Sequence, residues 1–193
     1  MPSGKVKFPI QGDPHRPSTK ETRCDDIYNL ILMMEAEKIV DEIGRSRGTY
    51  VLVLQLYQLI KIEIGRLGLI SFEPGYYLYT GSALGPGGLS GRISQHLRQK
   101  TQKRSHWHID ALTSREAINE IWWSESRRRL ECTWAELLAK VGDRTVPGFG
   151  ASDCRCPGHL VWLQDAEGVK RAWNVLREHV GPKFHRAKII KTS

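Results

Sequence analysis

Residues 48–83 read GTYVLVLQLYQLIKIEIGRLGLISFEPGYYLYTGSA, and the fold turns on this stretch. It opens on Gly48-Thr49-Tyr50, and Thr49 to Tyr57 is rich in Val, Leu and Tyr, side chains that suit a pleated, half-buried surface. Ile60, Ile62 and Ile64 then alternate with Lys61 and Glu63, the period of a half-buried strand. Leu67 to Phe72 forms a third short run, Pro74-Gly75 turns the chain, and Tyr76 to Tyr79 forms a fourth. The links are too short to hold crossover helices, so these runs pair antiparallel.

Downstream, Gly81 to Gly88 is a glycine-rich loop containing Pro86. Leu89, Ile93 and Leu97 sit four apart and predict a helix from about Gly88 to Lys100, with Arg92 and His96 stacked on one face. A strand is expected over Asn119 to Trp123, a helix from about Arg128 to Val141, a strand over Leu160 to Leu163, and a final helix from Ala166 to His179. Upstream, residues 1–24 carry Pro2, Pro9, Pro14 and Pro17 and read as a flexible arm. Residues 25–47 hold a helix from Asp25 or Asp26 to about Ile43, then a linker. Residues 48–165 are the central domain, and 166–193 a C-terminal helix and basic tail. The expected fold class is α+β, a small mostly antiparallel sheet flanked by helices, with an added hairpin and an N-terminal helix.

The chain has 193 residues, 40% hydrophobic and 26% charged, enough apolar content for a buried core. Its formal net charge of +8 is uneven. Residues 1–48 balance, so the whole excess lies in 49–193 and favours polyanions, whether the protein is an enzyme or a binder. No apolar run is long enough to span a bilayer, and the Met-Pro-Ser-Gly-Lys start carries neither an apolar signal region nor a lipidation motif. Four cysteines are too few for a disulfide-built scaffold. The expectation is a soluble cytoplasmic protein with no membrane partner.

The segments Gly48-Thr49-Tyr50, Tyr79-Thr80-Gly81-Ser82-Ala83, His106-Trp107-His108-Ile109-Asp110, Glu131-Cys132 and Ser152-Asp153-Cys154-Arg155-Cys156-Pro157-Gly158-His159-Leu160 together resemble the GIY-YIG nuclease superfamily. Within it they look closest to the Uri-type endonuclease-like family, long described as a domain of unknown function. The resemblance covers roughly residues 48–165. It implies that Tyr50, Tyr79, Arg92 and Glu131 line a nuclease site. The first tyrosine would assist water activation, the arginine would stabilise the transition state, and the glutamate would hold Mg2+ or Mn2+. One departure stands out: 28 residues separate Tyr50 from Tyr79, more than the superfamily usually has. A hairpin from Leu59 to Phe72 accounts for the excess, and a hairpin inserted at a turn need not change the register of its flanking strands.

The residue chemistry runs parallel to that resemblance. Phosphodiester hydrolysis needs an activated water, a counter-charge for the phosphoryl oxygens, and help for the leaving oxygen. Arg92 offers a planar fork of donors suited to phosphate. Glu131 is a hard oxygen ligand of the kind magnesium takes. A free tyrosine, with pKa about 10, is a poor base at neutral pH. His96, of a type that ionises near about 6.5, is the better-matched proton carrier.

A basic turn (Lys100, Lys103, Arg104) leads into His106, Trp107 and His108. On a strand His106, His108 and Asp110 would share a side; on a helix they would splay. In either case the cluster suits a phosphate-binding edge, with Trp107 available for base stacking. Cys154, Cys156 and His159 form a C-x-C-x2-H run that Cys132 could complete as a structural zinc site. Buried thiols or a disulfide are the competing readings. The functional expectation is a divalent-metal-dependent endonuclease acting on nucleic acid, DNA favoured over RNA. The alternatives are a nucleic-acid-binding module without catalysis and a metal-stabilised interaction protein.

Overall fold

The run from Tyr50 to Leu56 shows little polar alternation because the strand it forms is covered on both faces. A computed structural model describes residues 34–98 and 107–189. In it β1 (Gly48–Leu56) lies inside a six-stranded sheet and is buried except at the half-buried Gln55. β4 (Gly75–Ala83) and β5 (Ile118–Glu125) flank it. β7 (Leu160–Leu163) and then β6 (Arg144–Thr145) continue beyond β4, and β8 (His185–Lys188) lies beyond β5. Every neighbouring pair in this sheet is antiparallel.

The missing strands, β2 (Ile60–Ile64) and β3 (Gly68–Phe72), pair with each other as a separate two-stranded sheet closed by a 3-10 turn at Gly65–Leu67. The hairpin therefore leaves β1 and β4 in unbroken register, from Gly48 opposite Ala83 to Leu56 opposite Gly75. The long interval between the two tyrosines is thus absorbed outside the main sheet.

Helices cover both faces. Tyr50, Leu52 and Leu54 look toward α1 (residues 34–43), α2 (Gly88–Leu97), α3 (His108–Thr113) and the hairpin. Val51, Val53 and Trp122 look toward α4 (Glu131–Val141) and α5 (Ala166–Val180). On that second face Trp173 stacks on Phe184 at 4.5 Å, and the Asp165 carboxylate caps α5 by accepting from the Gly168 N–H at 2.8 Å. Among the described residues no helix is long and apolar enough to cross a membrane.

The structure departs from the sequence expectation at two places and decides one question the sequence left open. α4 starts at Glu131 instead of Arg128, because the Arg128 N–H is taken by Ser126 Oγ at 3.0 Å in a preceding turn. His108 and Asp110 belong to a helix, so their side chains splay. His185–Lys188 is a strand, whereas 183–191 reads as a tail in sequence. It is held to β5 by contacts between remote residues: Arg186 grips Glu120 through two hydrogen bonds, at 2.7 and 2.8 Å, and His185 stacks on Trp123. Residues 1–24, the predicted helix over 25–33, and Lys100, Lys103, Arg104, His106 and Lys191 lie outside the described residues.

Candidate active site

Strand register brings the two tyrosines together. Tyr50 opposes Gly81 and Leu52 opposes Tyr79, so the tyrosines are diagonal neighbours on one face. Gly81 is glycine for a steric reason: a Cβ there would collide with the Tyr50 hydroxyl, which lies across it. Gly48 is constrained likewise, since a Cβ would strike the Ser124 carbonyl and Leu89. The glycines of both triplets are therefore packing requirements, Gly81 against Tyr50 and Gly48 against β5 and α2.

The Tyr50 hydroxyl meets His96 Nε2 at 2.7 Å. On the far side His96 Nδ1 lies 3.4 Å from Asp110 Oδ1, while Asp110 Oδ2 accepts from the Trp107 N–H at 3.1 Å. Tyr50, His96 and Asp110 are only 2%, 2% and 3% exposed. A buried tyrosine–histidine–aspartate chain thus runs inward from the sheet. His96 is an interior residue, not part of a solvated helix face. Arg92, one turn earlier, lies over the Trp107 ring with 4.3 Å between its guanidinium carbon and the ring centroid. Trp107 also meets His96 edge to face, so base stacking on it would compete with Arg92.

These groups open on a cleft of about 360 Å³, whose walls include Tyr50, Tyr79, Ser82, Arg92, Trp107 and Glu131. His108, Arg129, Gly150 and Asp153 complete its rim. Burial pushes the Tyr50 hydroxyl well above its ordinary value, with the neighbouring Tyr79 adding to the effect and Arg92 opposing it. Burial likewise raises Tyr79, so both phenols keep their protons at neutral pH. His108 does not offer a cation: burial lowers its pKa, and its Nδ1 accepts from the Gly150 N–H at 3.1 Å. It anchors the loop over Tyr79.

Glu131 sits in the first turn of α4, where a carboxylate is favoured by the helix dipole. Burial would raise its pKa, but the close approach of His159 and Ser82 and the charge of Arg129 outweigh this and hold the carboxyl below its usual value. His159 Nδ1 stands 3.2 Å from Glu131 Oε1, within ion-pair range but too bent to count as a full hydrogen bond. Behind it, Cys132, Cys154, Cys156 and His159 present ligand atoms all within 4.8 Å of one another. Tetrahedral ligands about 2.3 Å from a zinc ion sit about 3.8 Å apart, so the cluster could hold a metal with slight contraction. Its three cysteines are free thiols, against the disulfide reading. Cys156 is pushed up to about 12 by burial and by the two neighbouring sulfurs, a crowding that a cation would relieve.

The structure thus gathers Tyr50, Tyr79, Arg92, Trp107, His108 and Glu131 around one cleft, with His96 buried behind Tyr50 and the cysteine cluster behind Glu131. Ser82, Arg129 and Asp153 had no role assigned in sequence, and Asp110 was read beside His106 and His108 without its link to His96. The only pointer to Asp110 was its company with His108, since its partner His96 lies fourteen residues away.

Fold and site together define an antiparallel α+β domain with a polar tyrosine–arginine–glutamate cleft backed by a thiol–imidazole cluster. The chain belongs to the family described as domain of unknown function DUF123, whose model matches residues 49–181, from β1 through α5. No curated protein and no solved structure matches it.

Proposed function

We propose that this domain is a divalent-metal-dependent endonuclease of the GIY-YIG type, hydrolysing phosphodiester bonds in nucleic acid with DNA favoured over RNA. The observation that supports the reading is the convergence of Tyr50, Tyr79, Arg92 and Glu131 on one cleft, with Tyr50 bonded to His96. Arg92 binds the scissile phosphate and stabilises the charge that develops on its oxygens. Trp107 holds that guanidinium in place. Tyr50, too weak an acid to act as a phenolate, takes the proton of the attacking water while passing its own to His96 Nε2. Asp110 orients His96 from the other side. Tyr79, still protonated, donates a hydrogen bond to the phosphate.

Glu131, ionised and on the cleft wall, is the residue that would hold Mg2+ or Mn2+. When bound, such an ion supplies a Lewis acid for phosphate and a more acidic water. Cys132, Cys154, Cys156 and His159 would hold a structural zinc, which suits their soft sulfur and imidazole donors.

A second reading, a nucleic-acid-binding module without catalysis, draws on the 2% exposure of Tyr50, because a base must be reached by water. Cleavage assays on single-stranded, duplex and branched substrates separate the two. Metal-dependent scission that is lost in Glu131→Ala while binding persists supports the nuclease. Salt-sensitive binding with no scission supports the module.

A further inference from the structure

A second concave surface lies apart from the cleft. Three remote segments meet there: the linker before β1, the exit of β5 and the entry to β8. They form an open groove of about 870 Å³ lined by Arg45, Arg47, Glu125, Arg127, Lys183 and His185. Four fixed cations face a single carboxylate.

Some basic side chains of the fold have partners. Arg186 is held by Glu120, Lys170 by Glu167, Arg92 by Trp107 and Arg144 by Trp162. Among the described residues Arg45, Arg47, Arg127 and Lys183 make no ion pair, a state they share with exposed cations such as Arg66 and Arg171; what sets them apart is that all four line one concave surface. The scaffold beneath them is tied down. The Ser126 N–H donates to the Arg47 carbonyl at 2.8 Å, and His185 stacks on Trp123 with ring centroids 5.4 Å apart. Mutual repulsion of four cations across a wet groove is relieved by a polyanion, and binding it releases counterions.

The lining also limits what the ligand can be. It is polar throughout, which disfavours an apolar small molecule. Its one ring, His185, is already stacked, so no platform remains for a base. The groove touches the cleft's own support: the Leu89 N–H donates to the Ser46 carbonyl at 2.9 Å, and Gly88 packs so tightly on the Arg45 carbonyl that a Cβ could not fit. Arg92 follows one turn later on the same helix.

We propose that this groove binds the phosphodiester backbone of a nucleic-acid strand, independent of sequence, alongside the first turn of α2. The proposal rests on nucleic acid being the ligand class named above, but not on catalysis. The test uses the full chain, fluorescein-labelled DNA and RNA oligonucleotides of two unrelated sequences, and anisotropy across a salt series without added Mg2+. Arg47→Glu/Arg127→Glu is compared with Arg171→Glu/Arg177→Glu, an equal charge change at exposed positions of α5.

The groove pair is expected to weaken binding about tenfold or more near about 0.1 M salt, equally for both sequences. It should also flatten the slope of log K against log salt by about 1.5 to 2. The α5 pair should leave both nearly unchanged. Equal losses from the two pairs, or none from the groove pair, overturn the proposal. Cleavage measured in parallel separates the two readings. Groove-dependent binding without scission sustains the groove and removes the nuclease. Scission with binding indifferent to the groove pair removes the groove alone, and no binding by the wild-type chain removes both.

Discussion

The Tyr50 hydroxyl lies 2.7 Å from His96 Nε2, and both side chains are shut away from bulk solvent. Two groups so placed act as one unit, so their effects should not add. Tyr50→Phe and His96→Ala are each expected to lower the single-turnover cleavage rate by about 10²–10⁴-fold, and the double variant by little more than either. Tyr50→Phe also leaves a buried imidazole nitrogen without its partner, a destabilisation of about 1–3 kcal/mol measurable by urea unfolding. Rate losses that multiply in the double variant would contradict the shared proton path.

The cysteine cluster makes a prediction about composition. Freshly purified protein should carry zinc at one ion per chain, since the four ligand atoms are already gathered. Stripping it is expected to remove about 3 kcal/mol or more of folding stability, because the ion binds the folded cluster and not the open chain. Cys154→Ser should lower both zinc content and melting temperature. Metal analysis and calorimetry with and without a strong chelator check this; a metal-free chain whose melting is indifferent to chelator would speak against it.

Glycine packing around the site can be probed directly. Gly88 has φ +57° and lies against the Arg45 carbonyl, a backbone neighbour that cannot easily yield. Gly88→Ala should destabilise the fold by more than about 1 kcal/mol. The atoms nearest a Cβ at Gly81 belong to the Tyr50 ring, so Gly81→Ala should displace that ring from His96 and depress cleavage as well as stability. Unfolding curves and cleavage rates for the two variants give the comparison.

His108 supplies a pH dependence. Its pKa is lowered in the folded chain by burial, and its neutral Nδ1 accepts from Gly150. Between the folded and the unfolded pKa the unfolded chain binds the extra proton, so stability rises with pH across that window. The contribution is complete above about pH 6.5 and is lost as pH falls below it. Imidazole titration by NMR should place the His108 midpoint below the unperturbed value. His108→Gln should flatten the slope of unfolding free energy over that range. A midpoint above 6.5 would reverse the sign.

Much of the sheet was legible because its information is local. The apolar run of β1, the isoleucine alternation of β2 and the Pro74-Gly75 turn each declare themselves within a few residues. The Tyr50–Tyr79 neighbourhood was legible for a subtler reason: the β2–β3 hairpin closes on itself and leaves the flanking register intact. What stayed hidden depends on residues far apart in sequence. β8 is a strand because Glu120 and Trp123 hold it, and neither is visible from the sequence HRAK. The His96–Asp110 contact joins residues fourteen apart in sequence, and six residues at His108–Thr113 are too few for a period to decide helix against strand. The basic groove is assembled from positions near 45, 126 and 184, so its charges looked scattered along the chain.

The most direct test of the central claim is single-turnover cleavage of labelled DNA by zinc-replete protein, with and without Mg2+ or Mn2+, beside Arg92→Ala. Metal-dependent scission that falls by about 10²–10³-fold in Arg92→Ala is the predicted result. Intact substrate in every lane, or equal scission by wild type and Arg92→Ala, would contradict it.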